Sequence, residues 1–169
     1  MKKEIWEWTK AIIIAVVLAF FLRSFVFATS IVEGTSMNPT LHNGERVIFN
    51  KAIYIFDSPD RGDIVIIQHP HKNYVKRVVG LPNETIEGIN NEIFINGELL
   101  EEDYISDNQK MGTGNFGPIE IPEDQYFVIG DNRGISKDSR NGLGLIFENE
   151  IIGRSEFIIY PFSQISFTR

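Results

Sequence analysis

Apolar residues run without interruption from Ala11 to Leu22, and after Arg23-Ser24 the apolar character resumes through Phe25-Val26-Phe27-Ala28. In helical form residues 11–28 would reach about 27 Å at ~1.5 Å per residue, close to the ~30 Å hydrocarbon core of a bilayer. A buried helix of a soluble body and an interfacial amphipathic helix are competing readings, and the run is apolar on all faces, which disfavours the interfacial one. Trp6 and Trp8 sit where an aromatic belt would hold a spanning helix. A cleaved secretory signal is the main rival, but Val26-Phe27-Ala28 is a poor small-x-small cleavage site because Val26 is β-branched. The pattern therefore predicts one retained transmembrane helix within an N-terminal segment of residues 1–28. Lys2, Lys3 and Lys10 precede the span and only Arg23 lies near its far end. That asymmetry predicts a single pass through the cell membrane, a cytoplasmic N-terminus and an extracytoplasmic body, with membrane lipid as a partner.

From residue 29 onward the pattern changes. Short β-branched or aromatic runs alternate with Gly, Pro, Asn and Asp, and no long stretch has helical period. Strands are predicted at residues 29–33, 46–50, 63–68, 74–79, 92–95, 98–100, 126–130 and 156–160. Asn96-Gly97, between two such runs, is a type I′ hairpin signal, since both turn residues must tolerate positive φ. The fold class expected is mainly β: an antiparallel body over 29–169, with residues 81–125 as a small inserted β excursion. Residues 106–118, polar and rich in glycine, read as a mobile loop.

Composition narrows the function classes. The chain of 169 residues has a net charge of −7; the first 28 residues carry four cations against two acids, so the rest is more acidic still, at −9. An acidic body without clustered Lys and Arg disfavours nucleic acid as a partner. The absence of cysteine excludes disulfides, thiolate catalysis and the common structural zinc sites.

Three clusters could carry chemistry. In Gly34-Thr35-Ser36-Met37-Asn38-Pro39-Thr40-Leu41 a strand-like run gives way to turn formers, which would expose a serine at a strand end; a lone serine there most often serves only the turn. In Tyr74-Val75-Lys76-Arg77-Val78-Val79 an extended chain puts Lys76 on one face with Tyr74 and Val78. Burial can lower a lysine pKa by as much as ~3–5 from about 10.4 and leave a free amine, although a packed stem with a solvated head is the commoner outcome. The third cluster, Gly130 to Arg140, holds two Asp, two Ser, two Arg, one Lys and one Asn, which alone would suit a solvated loop of weak ion pairs. His42, His69 and His71 lack a third partner nearby in sequence, so a metal site or a histidine triad is not expected.

The order and separation of the three clusters resemble those of the bacterial type I signal peptidases. Ser36-Met37-Asn38-Pro39-Thr40 looks like the family's nucleophile box, Tyr74-Val75-Lys76-Arg77-Val78-Val79-Gly80 like its lysine box, and Gly130-Asp131-Asn132-Arg133-Gly134-Ile135-Ser136-Lys137-Asp138-Ser139-Arg140 like its third box. Arg61-Gly62-Asp63-Ile64-Val65 resembles a fourth, structural box. The resemblance implies a serine endopeptidase that cleaves secretory preproteins after small residues and needs no metal or organic cofactor. It makes Ser36 the nucleophile, Lys76 its general base, Ser136 the group that hydrogen-bonds and orients the lysine, and Asp138–Arg140 a supporting ion pair. Gly34 stands where certain members have a serine that helps bind the oxyanion, which shifts that task toward the Ser36 N–H. Intact Ser36 and Lys76 argue against the alternative of an inactive, membrane-tethered peptide-binding β module. The anchor and acidic body argue against a self-cleaving, repressor-type serine-lysine protease.

Overall fold

The computed structural model describes residues 2–21 and 25–168. Helix α1 (Lys2–Phe21) contains no Gly or Pro, and its apolar side chains from Ile12 to Phe21 are largely exposed. The helix expected over residues 11–28 is only partly found. Its described part runs to Phe21, residues 22–24 lie outside the described residues, Phe25 and Val26 are helical, and Phe27–Ile31 form strand β1. All five β1 residues pair antiparallel with β2 (Arg46–Asn50), from Phe27↔Asn50 to Ile31↔Arg46, so ladder hydrogen bonds hold this stretch extended. Among the described residues no helix is long and apolar enough to cross a membrane, because the first turns of α1 carry Lys2, Lys3, Glu4, Glu7 and Lys10.

The body is antiparallel β structure. Its remaining strands are β3 (Ile64–Ile67), β4 (Tyr74–Gly80), β5 (Thr85–Ile89), β6 (Glu92–Ile95), β7 (Glu98–Leu99), β8 (Phe116–Glu120), β9 (Gln125–Ile129), β10 (Ile146–Phe147), β11 (Ile151–Tyr160) and β12 (Ser166–Phe167). The larger sheet runs β1-β2-β11-β3-β4-β9-β10, with β12 added to β11. The smaller runs β7-β6-β5-β8 and occupies the chain between β4 and β9. Asn96 and Gly97 have φ of 52° and 82°, as a tight hairpin between β6 and β7 requires.

The core explains why β4 is apolar on both faces. On one face Val78 joins Val65, Val128 and Ile151; on the other Val79 packs with Ile86, Ile93, Phe127 and Ile129 in the layer between the sheets. Gly88 in β5 makes room for Phe116 of β8, since a Cβ at Gly88 would lie 2.4 Å from the ring, and Phe116 stacks on Phe127 at 5.3 Å. Residues 106–118, expected as a mobile loop, include regular structure at both ends. Asp107–Lys110 form a one-turn helix, α2, after Ser106, whose N–H is accepted by Gln109 Oε1 at 2.8 Å, and Phe116–Glu120 pair with β5. The Ser-x-x-Gln spacing of a capping box is what organises this polar stretch.

Candidate active site

The turn after β1 carries Ser36. Two residues bury it in place: Met37 is 1% and Leu41 0% exposed, and both pack with Val32, Val47, Ile64 and Ile158. Burial of two such side chains contributes on the order of 1.5–3 kcal/mol each, which fixes the turn while Ser36 stays partly exposed. Gly34 adopts φ +87° and donates its N–H to Asn43 Oδ1 at 2.8 Å. No heavy atom lies within 4 Å of where a Cβ would stand at Gly34, so backbone conformation, not space, calls for glycine here. The Ser36 N–H makes no backbone hydrogen bond among the described residues.

Lys76 sits in the middle of β4 opposite Val65 of β3. It is 2% exposed, and its Nζ lies 2.9 Å from Ser36 Oγ and donates to the Val75 carbonyl at 2.8 Å. Burial lowers its pKa from 10.5 to about 8; the carboxylates of Asp138 and Asp131 oppose that shift and the Lys72 ammonium assists it. The site opens onto a cleft of about 500 Å³ lined by Ile31, Gly34, Ser36, Tyr74, Lys76 and Ile135, among others.

The third cluster follows β9, which pairs with β4 in the register Arg77↔Ile129, so Gly130 and Asp131 emerge beside the lysine strand. Asp138 and Arg140 form a two-pronged pair, Nε to Oδ1 at 2.9 Å and Nη2 to Oδ2 at 2.8 Å, and Asp138 also accepts the Gly130 N–H at 3.1 Å. Ser136 is 1% exposed beside the Ser36 carbonyl, but its hydroxyl has no hydrogen-bond partner among the described residues. The expected contact from Ser136 to the lysine amine is thus absent, and the Val75 carbonyl holds the amine instead.

Several supporting groups went unremarked in the sequence. Arg77 donates to both oxygens of Asp131, Nε at 2.9 Å and Nη2 at 2.7 Å, with both side chains nearly inaccessible, and Thr40 Oγ1 donates to the same carboxylate at 2.5 Å. An arginine alternating with valines in a buried strand is a signal for such a partner, because an unpaired buried guanidinium is very costly. Asn132 donates its backbone N–H to the Ser36 carbonyl at 3.0 Å and its side-chain amide to the Thr35 carbonyl at 3.2 Å. Gly130 is required by close approach: a Cβ would lie 2.2 Å from Ser136 Oγ and 2.5 Å from the Ser36 carbonyl oxygen. His42 lies beside Glu45, and His69 packs edge-on to Tyr74 of the cleft wall.

The family described as "Signal peptidase, peptidase S26" matches residues 5–160, nearly the whole chain. The chain belongs to the peptidase S26 family of signal peptidases. Among its relatives in this signal peptidase family, signal peptidase I S of Bacillus subtilis (strain 168) is 48% identical over 172 residues, covering 97% of this chain and 94% of that one. Signal peptidase I of Bacillus licheniformis is 49% identical over 173 residues, with 97% and 93% covered. Signal peptidase IB of Staphylococcus aureus (strain COL) is 38% identical over 181 residues, with 97% and 94% covered. The chain is therefore a serine endopeptidase of the signal peptidase type, with a mainly β antiparallel fold.

Proposed function

We propose that Ser36 and Lys76 form the catalytic dyad of a membrane-bound endopeptidase that removes signal peptides from secretory preproteins. The observation that carries this reading is the 2.9 Å separation of a partly exposed hydroxyl from a buried amine whose pKa falls to about 8. A neutral amine at that distance accepts the Ser36 proton as Oγ bonds to the scissile carbonyl carbon. The tetrahedral intermediate collapses when the lysine ammonium returns this proton to the departing amide nitrogen, which leaves as the free amine of the mature protein. A water then gives a proton to the regenerated Lys76 amine and attacks the acyl-enzyme ester; Ser36 departs reprotonated and the signal peptide leaves as a carboxylate. The Ser36 N–H serves as one oxyanion donor. Ser136, whose buried hydroxyl has no hydrogen-bond partner among the described residues, is assigned the role of orienting the lysine amine, a bond that would satisfy this group. Asp138 and Arg140 support that segment through their ion pair.

The cleft runs along residues 30–37 on one wall and 72–76 on the other, so an extended peptide laid in it turns alternate side chains toward one wall. Preference for small residues follows if that wall is shallow. Membrane attachment is assigned to α1 together with the residues up to about 26, and the extracytoplasmic catalytic body to the strands that follow, with 81–125 as its variable excursion. Support comes from the exposed apolar surface of α1 and from a second exposed apolar group, Phe27, Ile31, Phe157, Phe162, Ile165 and Phe167, on β1, β11 and the segment that follows. The direct experiment is to incubate detergent-solubilised protein with a preprotein and sequence the N-terminus of the product. The reading expects one cut after a small residue with the wild type and none with Ser36→Ala or Lys76→Ala. Intact preprotein with the wild type would leave the non-cleaving peptide-binding module instead.

A further inference from the structure

The buried pair Glu102–Arg133 ties the excursion to the catalytic centre. Arg133 is 2% and Glu102 3% exposed, yet both are charged groups of a kind seldom found so deep. Both guanidinium Nη atoms of Arg133 meet the carboxylate of Glu102, Nη1 at 3.0 Å from Oε2 and Nη2 against Oε1, and Nη1 also donates to Thr113 Oγ1 at 2.9 Å. The Tyr104 hydroxyl donates to Glu102 as well. Among the described residues, every side-chain hydrogen-bond partner of Arg133 therefore comes from the segment between β7 and β8.

The main chain around Arg133 connects the excursion to the site. Its carbonyl accepts Arg140 Nη2 at 2.8 Å, and the preceding residue, Asn132, makes the two hydrogen bonds that hold the Thr35 and Ser36 carbonyls. The same segment touches the turn at two more places. A Cβ at Gly112 would lie 2.3 Å from the Gly134 nitrogen, so backbone packs directly on backbone, and Arg140 Nη1 donates to the Gly112 and Thr113 carbonyls at 3.0 and 3.1 Å. Tyr104 also lies 4.0 Å under the guanidinium of Arg77, whose carboxylate partner is Asp131.

We infer that Glu102, acting through Arg133, is a positioning residue for hydrolysis: it clamps the 131–136 turn so that Asn132 holds the Ser36 backbone within reach of Lys76. A buried charge pair is weak as a stabiliser, and an apolar pair of similar volume often replaces it without loss of fold. Geometry is what such a pair supplies here, and a misplacement on the order of 1 Å can cost ~10²-fold in rate. The inference rests on the serine-lysine reading of the site.

The test is steady-state cleavage of a preprotein by detergent-solubilised full-length chain carrying Glu102→Leu together with Arg133→Met. Expected are a thermal midpoint near that of the wild type, a roughly ten- to hundredfold fall in kcat and a KM within about twofold. An unchanged kcat at an unchanged midpoint would overturn the positioning role. Glu102→Gln keeps the volume and serves if the double variant does not fold: amide hydrogen exchange at Asn132 should speed up while exchange in β3 and β4 holds, and equal protection at Asn132 would overturn the inference. Ser36→Ala run alongside separates the two levels. Cleavage by that variant would sink the dyad itself, whereas a silent Ser36→Ala with a fully active double variant sinks the clamp alone.

Discussion

Lys76 Nζ stands 2.9 Å from Ser36 Oγ although the two residues are 40 positions apart in the chain. Met37 and Leu41 hold one partner through the core, and the pairing of β4 with β3 and β9 holds the other. Neither side chain needs to move far for a proton to pass between them.

Burial of Lys76 has a consequence for stability. A pKa lowered from 10.5 to about 8 corresponds to roughly 3 kcal/mol of preference for the neutral form in the folded chain. Between those two values the unfolded chain binds more protons than the folded one, so unfolding free energy rises with pH across that window, and at neutral pH the folded protein bears the cost of a buried ammonium. Lys76→Met should therefore unfold at higher denaturant concentration than the wild type near neutral pH and lose the rise between pH of about 8 and 10.5. Chemical denaturation as a function of pH measures both.

Gly130→Ala places a methyl 2.2 Å from Ser136 Oγ, a buried side-chain atom, and 2.5 Å from the Ser36 carbonyl oxygen, which belongs to the backbone. The expected result is a loss of ~10²-fold or more in kcat together with about 1–3 kcal/mol of stability. Product sequencing and a thermal melt on the same preparation check it.

Gly34 behaves differently. At φ +87° any L side chain is strained, by about 1–2 kcal/mol, although the space is open. Gly34→Ser should lose roughly that much stability, and Gly34→Asn should lose less because asparagine tolerates the left-handed region better. Equal stability of the serine variant in a denaturant titration would show that the turn relaxes freely.

The site was legible through the resemblance of its three clusters to a known family, since each cluster by itself suited a turn, a snorkelling lysine or a solvated loop. What made the comparison possible is that the serine turn, the period-2 placement of Lys76 with Tyr74 and Val78, and the Asp138–Arg140 pair each lie within a few residues of chain. The exact limits of β2 and β6 followed from β-branched runs bounded by turn formers. What escaped depends on distance in sequence. Arg77 finds Asp131 54 residues on, and Arg133 finds Glu102 31 residues back, so no spacing rule pairs them. Strand β8 was hidden because Phe116, Gly117 and Pro118 fell in the stretch read as loop, and β5 was not separately predicted within the excursion; Phe116 fills the space left at Gly88. The apolar run through Phe27 and Ala28 suited a spanning helix equally well, and only the partner strand β2 decides for an extended chain.

Asp131 lies at the centre of the buried charge network. Replacing it with Ala would leave the Arg77 guanidinium uncompensated in the core, at a cost of about 3–5 kcal/mol. Loss of soluble folded protein at growth temperature, or a melting transition lowered by many degrees, is the expected outcome, and a near-wild-type melt would show that water reaches Arg77.

The dependence of kcat/KM on pH for cleavage of a preprotein tests the dyad most directly, because it reports the ionisation of the free enzyme. A buried lysine acting as base predicts a rate that climbs about tenfold per pH unit on the acid side and levels off above about 8. A profile flat from neutral to alkaline pH, or one still climbing toward the 10.5 of an ordinary lysine, would contradict it.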